Sequence, residues 1–263
     1  MILNQTLSFL VPALLYLLVT KKNLREVLSI KPIKFYNIIL VFFISIFIQP
    51  VMSFLGLLTS LFFENNVSAM LIENAGIPFF STLFAVAIMP AICEEVMFRG
   101  IIYDQLKNTN AYTSCILTGL FFGLMHFDGQ QFLYAFFMGC IFCFFVRTTG
   151  SIFTSMLSHF IINGTQIFFV YLQNTLYNVE QQTIVENTAV TLYDILIIGR
   201  MVLFVAPILF LLFFLFIRFN KGKVHFENDG STFLQDITSL WNIPFLLILF
   251  LYSVLVILPL FFY

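Results

Sequence analysis

Charge is what this sequence has least of. Lys, Arg, Asp and Glu make up 10% of the 263 residues, against about 25% in an ordinary soluble domain, which excludes one apolar core inside a charged shell. Positive charge is not in excess either: twelve Lys and Arg stand against thirteen Asp and Glu, for a formal net charge of -1. No basic run with interleaved surface aromatics occurs, and nucleic acid is therefore excluded as a partner. Cysteine is scarce as well. Cys93, Cys115, Cys140 and Cys143 all fall in apolar runs, where a thiol packs as a small apolar residue. Cys140 and Cys143 form a C-x-x-C without the βαβ context of a redox motif, so packing is the preferred reading. No Lys or Arg precedes the first apolar run, so the basic start of a signal peptide is missing and that run is expected to stay as a span. No period of 20–50 residues and no inverted pair of broken helices is evident, which weakens a transporter reading.

What is present is apolar length. Hydrophobic residues make up 60% of the chain, 37 residues are Phe, and the mean hydropathy is +1.00. A membrane helix needs about 20 apolar residues, and eight candidates can be read: Ile2 to Thr20, Phe35 to Phe63, Ile77 to Tyr103, Tyr112 to Phe127, Phe132 to Val146, Ser151 to Tyr177, Thr191 to Ile217, and Asn242 to Phe262. The expectation is an all-α polytopic membrane helix bundle with about eight transmembrane helices, forming a single integral membrane domain over residues 1–263. The fourth and fifth candidates are short for full spans. Gln49-Pro50 should kink the second or divide it in two.

The few charges are segregated. Lys21, Lys22, Arg25, Lys31 and Lys34 follow the first span, and alternate connections hold Lys107, Arg147, Arg218, Lys221 and Lys223. The opposite connections hold Glu64, Glu73, Asp128, Glu180 and Glu186 and no Lys or Arg. By the positive-inside rule the basic loops are cytoplasmic and both termini lie outside. A multi-pass protein of the plasma membrane is expected.

An ionisable group at the centre of a span costs about 2.5–3.5 kcal/mol on insertion scales, so each needs a partner or a purpose. Glu94, Glu95 and Arg99 lie in the third candidate, His126 ends the fourth, and His159 and Asn163 lie in the sixth. Glu95 and Arg99 are i,i+4 and share a helix face, which predicts a structural ion pair. Glu94 points about 100° away and has no local partner. Gly119, Gly123 and His126 form one stripe, which either packs two helices closely or turns the imidazole toward the bundle. Ser155, His159, Asn163 and Gln166 form a polar ridge that must face protein or water. Counted at about 1.5 Å per residue from the cytoplasmic ends, Glu94, His126, His159 and Asn163 sit roughly 12–21 Å deep. Arg200 lies apart, and a snorkelling side chain is its simplest reading.

The pattern Glu94-Glu95-x-x-x-Arg99, Phe122-x-x-x-His126, His159-x-x-x-Asn163 resembles the CAAX-protease and bacteriocin-processing (CPBP or Abi) family of intramembrane endopeptidases. Each motif alone is weak, and the signal is their order on successive apolar helices between about Ile77 and Gln166. The resemblance implies peptide-bond hydrolysis within the membrane by the helices of residues 77–177. Glu94 and His126 would activate water, His159 with Asn163 would stabilise the oxyanion, and Glu95, Arg99 and Phe122 would support them. The chemistry is consistent: an apolar cavity disfavours the charged carboxylate and strengthens it as a proton acceptor, and imidazole and amide donors act most strongly in a dry site.

The same residues allow a metal reading, with His126, His159 and Glu94 or Glu95 holding zinc or another divalent ion. No H-E-x-x-H or other close ligand pair occurs, which favours hydrolysis without a cofactor. The expected partners are the lipid bilayer and a hydrophobic or amphipathic peptide or protein substrate, entering by a lateral or cytoplasmic opening. The rival class is a non-catalytic membrane scaffold, or an immunity or regulatory protein, that keeps the polar cluster for bundle stability.

Overall fold

The computed structural model describes residues 2–64, 76–176, 190–221 and 243–258. Every regular element among them is helical. Among the described residues eight helical stretches longer than one turn follow one another, besides a single turn at Leu24–Val27: α1 (Ile2–Thr20), α2 (Phe35–Thr59), α3 (Phe79–Leu106), α4 (Ala111–Leu124), α5 (Gly129–Thr149), α6 (Ile152–Leu176), α7 (Leu192–Phe219) and α8 (Ile243–Tyr252, continued by a π turn at Ser253–Ile257). Among the described residues, α1, α2, α3, α5 and α7 are long and apolar enough to cross a membrane. Eight runs therefore fold as helices, while five meet the requirements of a span. The α4 helix is short, at 14 residues. The α6 helix has the length, at 25 residues, but its polar ridge lowers its hydropathy. The α5 helix is longer than its apolar run suggests, because Asp128 caps it through Gln130 N at 2.8 Å and Gln131 N at 3.3 Å. Glu73, Glu180, Glu186, Lys223, Tyr177 and the outer ends of the last candidate span lie outside the described residues.

Proline divides α2 as its sequence suggests. One piece runs Phe35–Phe47 and the next begins at Gln49 with Pro50 in its first turn, where a missing N–H costs no helical bond. Lipid gives helices no hydrophobic reason to associate, so packing and polar contacts must join them. Phe142, Phe145, Ile162, Val41, Ile44 and Phe216 form a buried centre among α2, α5, α6 and α7. Polar pairs cross-link it: Ser45 with Ser158 at 2.7 Å, Gln49 with Thr165, and Asn37 with Asn220 through two bonds of 2.8 and 3.1 Å. Outward, α7 presents Leu203, Phe204 and Phe210, each about three-quarters exposed, as a surface for lipid. The chain is an integral membrane protein.

The α4 and α5 helices meet along a glycine seam. A Cβ on Gly119 would stand 2.7 Å from Phe136 O and 2.9 Å from Cys140 N, and one on Gly139 would stand 2.6 Å from Gly119 Cα. The glycine stripe therefore brings the two backbones together and positions His126 at the end of α4. Gly150, at φ +70°, turns the chain from α5 into α6.

Candidate functional site

Local backbone chemistry presents the two glutamates. Glu94 and Glu95 end a stretch of α-helix, Met89–Glu95, between two π-helical segments, Phe84–Ile88 and Val96–Ile102. Such wide turns re-aim side chains and are frequent at functional sites. Pro90 has no N–H to donate to Val86 O, four residues earlier, and Asn163 Nδ2 of α6 donates to that carbonyl instead at 3.0 Å. A proline on α3 thus gives an acceptor to an amide on α6.

Glu95 is fully buried. Its Oε1 accepts from Arg99 Nη1 at 3.0 Å, which is the local pair expected from the i,i+4 spacing, and also from His159 Nδ1 at 2.9 Å. The second contact joins α3 to α6 across 64 residues of sequence and was not legible in the spacing. Arg99 spends its remaining reach on Gly139 O of α5 at 3.1 Å, and its guanidinium lies over the rings of Phe122 at 4.5 Å and Phe142 at 5.1 Å. Arg99 therefore ties α3 to α4 and α5 by cation–π contact and hydrogen bonding in a site without water competition.

Each imidazole is held by one nitrogen. His159 gives Nδ1 to Glu95, stacks on Phe142 at 5.1 Å and 25°, and turns Nε2 to within 3.9 Å of Glu94 Oε2. Nδ1 of His126 lies 2.8 Å from Phe122 O, so an N–H at that position donates to the carbonyl. Phe122 lies edge-on to both rings, at 5.1 Å from His126 and 5.9 Å from His159.

Glu94, His126, His159 and Asn163 line one cavity of about 460 Å³, a size usual for ligand sites. Phe122 contributes to its wall, whereas Glu95 and Arg99 lie behind it. Sequence reasoning left out other lining residues, among them Gln5, Gln131 and Tyr134. Gln5 and Gln131 sit near helix starts, where polar residues are ordinary. Phe142, which supports His159 from below, is one of 37 phenylalanines and carries no distinguishing signal. Gln166 lines the cavity while Ser155 is buried beside Glu95, so the polar ridge of α6 serves both the site and its support. Arg200 is exposed and belongs to neither.

Zinc needs three protein ligands to converge on one point, and among the described residues no three His, Cys, Asp or Glu side chains do so. Nδ1 of each histidine is engaged by a protein oxygen, and Glu95 is paired with Arg99.

Residues 76–165 match the model of the type II CAAX prenyl endopeptidase Rce1-like family, over the stretch that holds Glu94, His126, His159 and Asn163. No curated protein and no solved structure matches the chain.

Proposed function

We infer, from a core segment that carries the Rce1-like type II CAAX prenyl endopeptidase family pattern, that the protein hydrolyses a peptide bond within the membrane using Glu94 as the base. The observation that carries this reading is the approach of Glu94 Oε2 to His159 Nε2, at 3.9 Å, on the wall of a cavity that His126 and Asn163 also face.

The Nδ1–H of His159 is committed to Glu95, so Nε2 carries a proton only when the ring is cationic. The cation has Glu95 on one side and Glu94 on the other, and in that form it is an oxyanion donor. Asn163 Nδ2 has two N–H bonds; one is used on Val86 O and the second remains for the substrate carbonyl. The lone pair of His126 Nε2 holds a water against the carbonyl carbon. Glu94 takes a proton from that water as its oxygen attacks. The tetrahedral oxyanion is held by His159 Nε2–H and Asn163 Nδ2–H, and Glu94 returns the proton to the amide nitrogen as the C–N bond breaks. A positioned base contributes about 10²–10⁴-fold and one oxyanion donor about 10²–10³-fold. No step uses a metal.

The Lys/Arg asymmetry supports an orientation with the basic connections in the cytoplasm. Hydrolysis is tested with purified protein in detergent or liposomes, on peptides that share one cleavage sequence with and without an apolar anchor. Anchored peptide is cut, and Glu94→Gln lowers the rate at least about 100-fold with unchanged thermal unfolding. Retained cleavage in Glu94→Gln removes the base assignment. No cleavage of any anchored peptide by the wild-type protein favours the scaffold or regulatory class.

A further inference from the structure

The α5 helix lines the cavity with Gln131, Tyr134, Ala135 and Met138, whose spacing is that of one helix face, and none of them has a part in the hydrolytic steps. The ring of Tyr134 packs against the buried clusters that hold Met138 on one side and Phe98 and Phe122 on the other, and a Cβ at Gly56 of α2 would stand 3.7 Å from it. The hydroxyl is therefore the polar part that Tyr134 brings to the wall.

A chain of hydrogen bonds from the start of α5 fixes the polarity of that hydroxyl. Asp128, just ahead of the first turn, accepts from Gln130 N at 2.8 Å and Gln131 N at 3.3 Å through Oδ1, and from Gln131 Nε2 at 3.1 Å through Oδ2. An ionised carboxylate only accepts, so the side-chain amide of Gln131 turns its NH2 to Asp128 and its Oε1 the other way. That oxygen also only accepts, and it meets Tyr134 Oη at 3.1 Å. The one proton of the tyrosine is spent there. Lone pairs are what remain on Oη, so toward the cavity Tyr134 can accept a hydrogen bond and cannot donate one.

A peptide brings both donors and acceptors on its main chain, and both need partners once water is left behind. His159 and Asn163 serve the scissile carbonyl, while Glu94 and His126 serve the water. The amides of Gln5 and Gln166, also on the lining, can turn either end to a ligand, whereas Tyr134 is fixed as an acceptor. We propose that Tyr134 Oη accepts a main-chain N–H of the bound peptide, outside the scissile bond, and so sets the register in which the segment lies along α5. This deepens the endopeptidase reading and rests on it for the ligand being a peptide. It also gives the site a selectivity, because a subsite built to meet an N–H rejects a residue that lacks one. Proline, or any residue with an alkylated nitrogen, is excluded at the one position that faces Tyr134. Gln131 is a positioning residue, acting by taking the hydroxyl proton.

The test pairs Tyr134→Phe, which removes the oxygen and keeps the packed ring, with apolar-anchored peptides in which one amide at a time, outside the scissile bond, is replaced by an ester. An ester has no N–H, so at the position that faces Tyr134 the two changes remove the same bond. Full-length wild-type protein is expected to lose about tenfold in kcat/KM on one ester peptide, and Tyr134→Phe about tenfold on the all-amide peptide. Together they should lose no more than either alone. Gln131→Met, which frees the hydroxyl to turn its proton toward the cavity, should weaken the all-amide peptide several-fold and leave the ester peptide of that position unchanged. A merely structural tyrosine would slow every peptide alike. Losses that multiply at every ester position, or a Tyr134→Phe variant equal to wild type on the all-amide peptide, overturn the proposal and leave hydrolysis by Glu94 standing. A second arm measures binding of the same peptides, fluorescently labelled, to Glu94→Gln protein with and without Tyr134→Phe. Binding needs no cleavage, so a protein that cuts nothing still reports the coupling between Tyr134 and the amide; no coupling, or no binding, overturns the proposal.

Discussion

Glu95 accepts from Arg99 and from His159 through one oxygen, with no exposure to solvent. Neutralising it as Glu95→Gln leaves a buried guanidinium without its counter-charge, for a loss of about 3–5 kcal/mol. Thermal unfolding in detergent should drop steeply for Glu95→Gln and stay near wild type for Glu94→Gln, whose carboxylate faces the cavity. Equal stability of the two would mean that Glu95 is not the structural member of the pair. Phe122 is 2% exposed and touches Arg99 and both imidazoles. Its truncation as Phe122→Ala should cost about 3–5 kcal/mol from the cavity left behind, with cleavage falling further than for Phe122→Leu. At this scale the Glu95–Arg99 pair was legible because helix geometry is local. The bond from Glu95 to His159 was not, because it depends on how α6 lies against α3.

On the scale of elements, Pro90 and the glycines control distance and aim. Restoring an N–H with Pro90→Ala gives Val86 O a helical donor that competes with Asn163 Nδ2. The expected result is slower cleavage, with KM less affected than kcat, in a protein of equal or higher thermal stability. Gly119→Ala places its methyl against the α5 backbone and should destabilise by about 1–3 kcal/mol. Gly164→Ala, where the nearest atom is 3.5 Å away, should gain up to about 1 kcal/mol from helix propensity. Unfolding curves of the two variants measured together check this contrast. The stripe of Gly119 and Gly123 was visible in the sequence. Its partner was not, since Gly139 and Cys140 are ordinary small residues until α5 is laid beside them.

For the whole molecule, a buried acid, Asp104 of α3, is paired with Lys22 beyond the end of α1 and with Lys107. The Asp104 side chain is 1% exposed while the lysines that grip it are nearly half exposed, and hydrogen bonding to it raises the Lys22 ammonium above its ordinary pKa. Asp104→Asn weakens the link between α1 and α3 and should cost about 1–3 kcal/mol, read as earlier unfolding or as protease sensitivity near Lys22. Reporter fusions after Lys34, Lys107 and Arg147 should report cytoplasm; an external signal at any of them would reverse the orientation. On the metal question, elemental analysis of active protein should find well under one equivalent of zinc, and stoichiometric zinc lost in His126→Ala would reinstate the metal reading.

The apolar runs alone were enough to determine a helical membrane bundle, because in lipid a backbone must satisfy its hydrogen bonds within each helix. Likewise, the ordered motifs of α3, α4 and α6 were enough to nominate Glu94, His126, His159 and Asn163, because ionisable groups are too costly in lipid to be scattered at random. Tertiary structure alone decided which nitrogen of each histidine is committed, which carbonyl holds Asn163, and which side chains line one cavity. Those are contacts between helices, fixed by glycine seams, wide turns and a proline, and helix periodicity carries information only along a single helix.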